Sequence, residues 1–220
     1  MRHWLGWFAL AVIVGMQAGT VFKPLGSIGS TRAADWIDLL TPFAILGCAA
    51  MVMDCAGADR RKWVLLAVGG VMFALGTGLH ISANSVSNVD DPAVADASIV
   101  HLWDEVVSHY IWYTGLFVVL VALAAALHLE EYRIGALGVV VATLFALTLT
   151  NTYIEGGMPW LGMVFLLTGV VVGWRWRPTT TGRLLMLVGG IGLSLLVGWG
   201  LYWYGTDGSV FPQFSELGWI

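Results

Sequence analysis

The chain has 220 residues, 58% of them hydrophobic and only 11% charged, with a formal net charge of -4 at pH 7. Its mean hydropathy is +0.82. A soluble domain carries about a quarter charged residues, so this composition excludes a soluble globular protein. No nucleic-acid partner is expected, and membrane lipid is the expected surrounding.

Apolar windows of roughly 20 residues, the length that crosses about 30 Å of hydrocarbon, recur seven times with short polar breaks. They fall near Trp4–Phe22, Trp36–Met53, Trp63–Ser82, Glu105–Leu127, Ile134–Tyr153, Trp160–Trp174 and Leu184–Tyr204. Alternating ten-residue strands are absent, so helices must satisfy the backbone. The expected fold is therefore an all-α integral membrane protein, one seven-helix transmembrane domain over residues 1–220. The breaks holding Arg60, Arg61 and Lys62, then Arg133, then Arg175, Arg177 and Arg183 alternate with one holding Asp90, Asp91 and Asp96 and no cation. The positive-inside rule puts the basic breaks and the amino terminus in the cytoplasm and the acidic loop outside. The expected location is a bacterial or archaeal cytoplasmic membrane, with the first helix retained rather than cleaved as a signal.

In chain order, the first two helices contribute Gln17 and Asp38, the latter read as a charge favoured by the helix amino end. The third closes on Thr77, His80 and Asn84. The fourth opens on HLWDEVVSHYIW, in which His101, Glu105 and His109 recur at i, i+4 and i+8, and Trp112 continues that stripe. The fifth closes on Thr148, Asn151 and Glu155. The seventh has Trp199 and Trp203 but no lysine, which speaks against a retinal Schiff base. All these polar groups lie in the outer half of the bilayer under the expected topology, whereas His3 and His128 lie on the other side. Helical spacing turns each cluster to one direction, and ionisable groups inside a membrane are functional candidates by default.

Three imidazoles with an open fourth position suit a catalytic zinc, which lowers the pKa of bound water to near 7. His80, His101 and His109 are the candidate ligands. Glu105 and Glu155 are the candidate acid–base groups, and Asn151 an amide beside them. Asn84, Asp104, Ser108, Trp112 and Thr148 are candidate supporting or substrate-binding residues, Asp104 as the group that orients a ligand imidazole. The leading expectation is a metal-dependent, zinc-binding membrane hydrolase acting on a lipid or amphipathic substrate at the extracytoplasmic face. Two alternatives stand beside it: a redox protein with haem or non-haem iron on His80 and His109, and a non-enzymatic sensor or transporter binding protons, metal or a small ligand. A structural, hydrogen-bonded histidine is the competing reading of each imidazole. In helix number and in the place of His80 late in an early helix, the chain resembles the alkaline ceramidase and adiponectin-receptor superfamily. That resemblance implies a histidine-bound zinc hydrolase. The chain departs from the pattern at Gly76, where the family has serine four residues before its first histidine. It departs again in Leu184–Tyr204, which lacks the family's His-x-x-x-His pair. Oligomeric state is not set by the sequence.

Overall fold

The computed structural model describes residues 1–29, 31–87, 97–130 and 132–219. The acidic residues Asp90, Asp91 and Asp96 of the expected outer loop lie outside the described residues. Among those described, seven helices exceed ten residues. They are α1 (Arg2–Gly15), α2 (Ala33–Cys55), α3 (Arg60–Ser87), α4, α5 (Ala136–Glu155), α6 (Pro159–Arg175) and α7 (Thr180–Asp207). Helix α4 is composite: Ala97–His101 and Ser108–Leu127 are α-helical, and Leu102–Val107 between them is wound as a π-helix. Five helices, α2, α3, α4, α5 and α7, are long and apolar enough to cross a membrane. The other two are shorter. At about 1.5 Å per residue, the 14 residues of α1 reach roughly 21 Å, less than the hydrocarbon thickness. The first apolar window extends to Phe22, but its helix stops at Gly15. Beyond it the chain makes a one-turn helix, a 3-10 turn through Pro24 and a two-residue hairpin, Ser27–Ile28 against Thr31–Arg32.

Contacts divide the chain into two compact units, the first covering His3–Ala125 and the second running from Ala126 onward.

In the first unit, α2 starts on a reciprocal cap. Arg32 N–H donates to the Asp35 carboxylate, and the Arg32 guanidinium pairs with it at 2.8 Å. Helix α3 starts where the Asp59 carboxylate accepts the Arg61 and Lys62 backbone N–H groups at 2.9 and 3.2 Å, satisfying donors that a helix start leaves open. Those contacts, and the Lys62 ammonium, hold the Asp59 carboxyl below its ordinary pKa. Helices α3 and α4 meet backbone to backbone. A side-chain carbon at Gly69 would fall 2.9 Å from the Gly115 carbonyl oxygen, and one at Gly76 would fall within 2.7 Å of Trp112 Cα and Cβ. Small residues permit this approach without a hydrophobic drive between helices. Phe73 and Val119, both fully buried, fill the space between.

In the second unit, α5 ends at Gly156 and Gly157, the latter with φ +63°, and Pro159 opens α6, where its missing N–H costs nothing. The Thr179 hydroxyl caps α7 by accepting Gly182 N–H at 3.0 Å. Thr180 and Thr181 donate to the Tyr132 and Leu127 carbonyls, and the Tyr132 and Thr181 hydroxyls meet at 3.1 Å. Burial there pushes the Tyr132 phenol up from its ordinary pKa. After α7 the segment through Trp219 folds back within the unit: Trp199 Nε1 donates to the Pro212 carbonyl at 3.1 Å, and Trp219 packs against Trp199 and Phe214.

Candidate functional site

The polar residues of the first unit gather where the ends of α3 and α4 meet. His80 lies one turn beyond Gly76, so the close α3–α4 contact carries its imidazole onto the π-wound part of α4. There His80 Nδ1 sits 2.7 Å from Asp104 Oδ1. That is the separation of an ion pair between an imidazolium and a carboxylate. Neither atom makes an aligned hydrogen bond among the described residues, so the contact is electrostatic rather than directional. A second pair lies beside it: His109 Nδ1 is 3.5 Å from Glu105 Oε2. The two imidazole centroids are 5.1 Å apart with a 37° tilt. Trp112 packs on both rings, 5.3 Å from His80 and 5.9 Å from His109, and Tyr113 stacks on His109 at 5.2 Å.

Asp104 lies within the π turn. A π segment inserts one residue into the helical register and is characteristic of functional positions. It lies between His101 and the α-wound part of the helix that carries His109, while Asp104, Ser108 and Trp112, spaced i, i+4 and i+8, are 8%, 0% and 6% exposed. The Ser108 hydroxyl donates to the Asp104 carbonyl, supplying a partner to backbone disturbed by the change in winding. The buried face of α4 is thus Asp104, Ser108, His109, Trp112 and Tyr113.

The stripe expected from i, i+4, i+8 spacing is met only in part. His109 is buried and Glu105 half-buried, but His101 is exposed at the start of α4, apart from the ring cluster. The zinc set His80, His101 and His109 therefore meets in two of its three members, and both meeting imidazoles have Nδ1 turned to a carboxylate. Among the described residues, no group of three His, Cys, Asp or Glu side chains is arranged to hold a metal ion. The 5.1 Å between the His80 and His109 rings leaves no room for a porphyrin between them, so bis-histidine haem ligation by this pair finds no support. Asn84 is half-buried one turn beyond His80.

Thr148, Asn151 and Glu155 belong to the second unit. Thr148 is buried. The Glu155 carboxylate accepts the backbone N–H groups of Phe214 and Ser215 at 2.8 and 3.2 Å, which anchors the returning carboxyl-terminal segment. Asn151 lines a mostly apolar cavity of about 330 Å³ with Leu147, Thr150, Ile154, Leu195, Trp199 and Phe214.

Two residues of the first-unit site were not assigned to it from sequence. Tyr113 falls four residues after His109, and that spacing was a usable signal. Asp38 reads from sequence as a helix-end charge, yet it is 8% exposed and interacts electrostatically with His80. Thr41, beside its carboxylate, is 5% exposed. Only the packing of α2 on α3 reveals that role.

Two carboxylate-backed imidazoles in contact, walled by aromatic rings, can hold, pass and accept protons. No protein-family model, no curated protein and no solved structure matches the chain.

Proposed function

We propose that the chain is a seven-helix integral membrane protein with a cytoplasmic amino terminus. Its first unit holds an intramembrane acid–base site that exchanges protons with a lipid-dissolved or amphipathic partner at the extracytoplasmic face. The observation that carries this reading is the 2.7 Å His80–Asp104 contact beside the His109–Glu105 pair. Five long apolar helices with two shorter ones and the alternation of basic and acidic breaks support the topology.

The test is the titration of the histidines in the purified full chain labelled with nitrogen-15 at its five histidines. Two imidazoles in mutual contact titrate as a coupled pair, in two macroscopic steps. Asp104→Asn should change both signals at once. Independent single-step titrations at His80 and His109, unmoved by Asp104→Asn, would reject the site.

One observation favours a second reading, the zinc-dependent membrane hydrolase. A carboxylate behind Nδ1 is how ligand histidines are oriented for metal binding through Nε2, and both His80 and His109 have one. On that reading His80 and His109 would hold the zinc, which would supply an activated water for hydrolysis. Stoichiometric zinc in the wild type, lost in His109→Ala, would establish it. A metal-free wild type purified without chelator would remove it and leave the metal-independent site.

A further inference from the structure

Helix α2 runs continuously past this site but carries a proline, Pro42, in its interior. A proline has no N–H to give the carbonyl four residues earlier. That carbonyl belongs to Asp38. The carboxylate of the same residue is buried, and its Oδ1 has no hydrogen-bond partner among the described residues. Thr41 adds a buried hydroxyl within the same turn. One turn of α2 thus offers a backbone carbonyl without its helical donor, an unpartnered carboxylate oxygen and a hydroxyl, all oxygen and all shielded from bulk solvent.

Charge decides what such a set accepts. The carboxylates Asp38, Asp104 and Glu105 face at most two imidazolium charges, from His80 and His109. The nearby guanidinium of Arg32 is paired with Asp35 at 2.8 Å, and the chain's only lysines are Lys23 and Lys62. With all three ionised, three buried or half-buried anions would face two possible cations, an excess that a low-dielectric interior penalises and that a proton or a small cation on Asp38 removes. A neutral water would satisfy the oxygens but not the charge. Oxygen-only donors suit a hard cation.

We propose that Asp38, Thr41 and the carbonyl that Pro42 leaves without a helical donor form a site for a small hard cation, sodium or hydronium, that shares its electrostatic field with His80. The proposal rests on the acid–base reading for its neighbour His80, but not for its own ligands. Asp38 faces His80 from α3, with Asp35 and Arg32 on its own helix side. His80 in turn faces Asp104 and Glu105 from α4. Ion binding at Asp38 and proton binding at His80 therefore oppose each other.

The test is thermal unfolding of the purified full chain in detergent, followed by tryptophan fluorescence. Sodium chloride replaces choline chloride at constant ionic strength, at several fixed pH values. A ligand bound only by the folded state raises the unfolding temperature in a saturable way. For sodium, the unfolding temperature should rise and saturate. The half-effect concentration should increase by about tenfold or more, or the response vanish, in Asp38→Asn and in the near-isosteric Thr41→Val; tenfold is about 1.4 kcal/mol of binding. Asp54→Asn, on the exposed end of α2, should leave it unchanged. For hydronium, sodium should have no effect, while a pH dependence of unfolding present in the wild type and in Asp54→Asn should be missing from Asp38→Asn. Wild-type responses to both sodium and pH in Asp38→Asn and Thr41→Val would overturn the proposal. Failure of the acid–base reading shows separately, as uncoupled histidine titration with the sodium response intact. Should Asp38→Asn fail to fold, Thr41→Val carries the same comparison.

Discussion

A single methyl group at Gly76 tests whether the α3–α4 contact aims the histidines. The ideal Cβ there lies 2.4 Å from Trp112 N, 2.6 Å from Trp112 Cα and 2.7 Å from Trp112 Cβ, where ordinary contact begins at 3.4 Å. The obstructing atoms belong to the α4 main chain and the root of its side chain, so no rotamer change relieves them. The helices must part by about 1 Å, and close-packed interiors do not absorb that freely. Overpacking of this kind costs about 1–3 kcal/mol. The consequence for the site follows from distance. His80 is one turn from Gly76, and a separation of about 1 Å would stretch its 2.7 Å contact with Asp104 to about 3.7 Å, past the usual hydrogen-bond limit of about 3.2 Å. Gly76→Ala should therefore lower stability and uncouple the two histidine titrations together. Gly78→Ala is the control, because nothing lies within 4 Å of a Cβ at that position. There alanine should gain up to about 1 kcal/mol through helix propensity. Unfolding temperature and the nitrogen-15 histidine spectra of both variants provide the readout. If Gly76→Ala matched Gly78→Ala in stability and kept coupled histidines, the link from glycine packing to site geometry would be wrong.

Other outcomes follow from the same contacts. Asp104→Leu should destabilise by about 3–5 kcal/mol, because breaking a buried pair strands its partner, whereas Asp104→Asn keeps an acceptor for His80 Nδ1 and should cost about 1–2 kcal/mol; denaturant unfolding of the two variants separates them. Glu155→Ala should free the segment after α7, since it deletes the acceptor of the Phe214 and Ser215 N–H groups, at about 1–3 kcal/mol for the stranded donors; chymotryptic cleavage at Phe214 should quicken, and Glu155→Gln should stay close to wild type. Asp59 is held below its ordinary pKa, chiefly by the Lys62 backbone N–H and also by the Lys62 ammonium. Its contribution to the start of α3 is complete above the unfolded value of 3.8 and fades as pH falls through the lower folded value. Exchange of the Arg61 and Lys62 amides should therefore stay constant on acidification until that range and rise below it, and in Asp59→Ala it should be fast throughout.

The membrane class and the seven helices were legible in the sequence because both follow from one-dimensional quantities: the length of apolar runs, their spacing and the polar breaks between them. His80, His109 and Glu105 were legible as candidates for a similar reason, since an ionisable side chain in an apolar run stands out wherever the helix turns. The rotation of α4 was not legible. Counting residues at 3.6 per turn puts His101, Glu105 and His109 on one line, but it cannot register a π turn at Leu102–Val107. Nor can it weigh the docking of Gly69 and Gly76 against Gly115 and Trp112. Those contacts bury the Asp104–Ser108–Trp112 side and leave His101 outside. Asp38 was hidden for a related reason: by sequence it is a charge near a helix start, and only the packing of α2 on α3 brings it within the field of His80. Glu155 shows the converse, a carboxylate whose helical spacing suggested catalysis and whose partners turned out to be two backbone N–H groups from a segment 59 and 60 residues further along the chain. Periodicity fixes which residues share a helix face. Which face meets which neighbour depends on side-chain volumes and backbone approach between distant segments, and that is decided only when the helices pack.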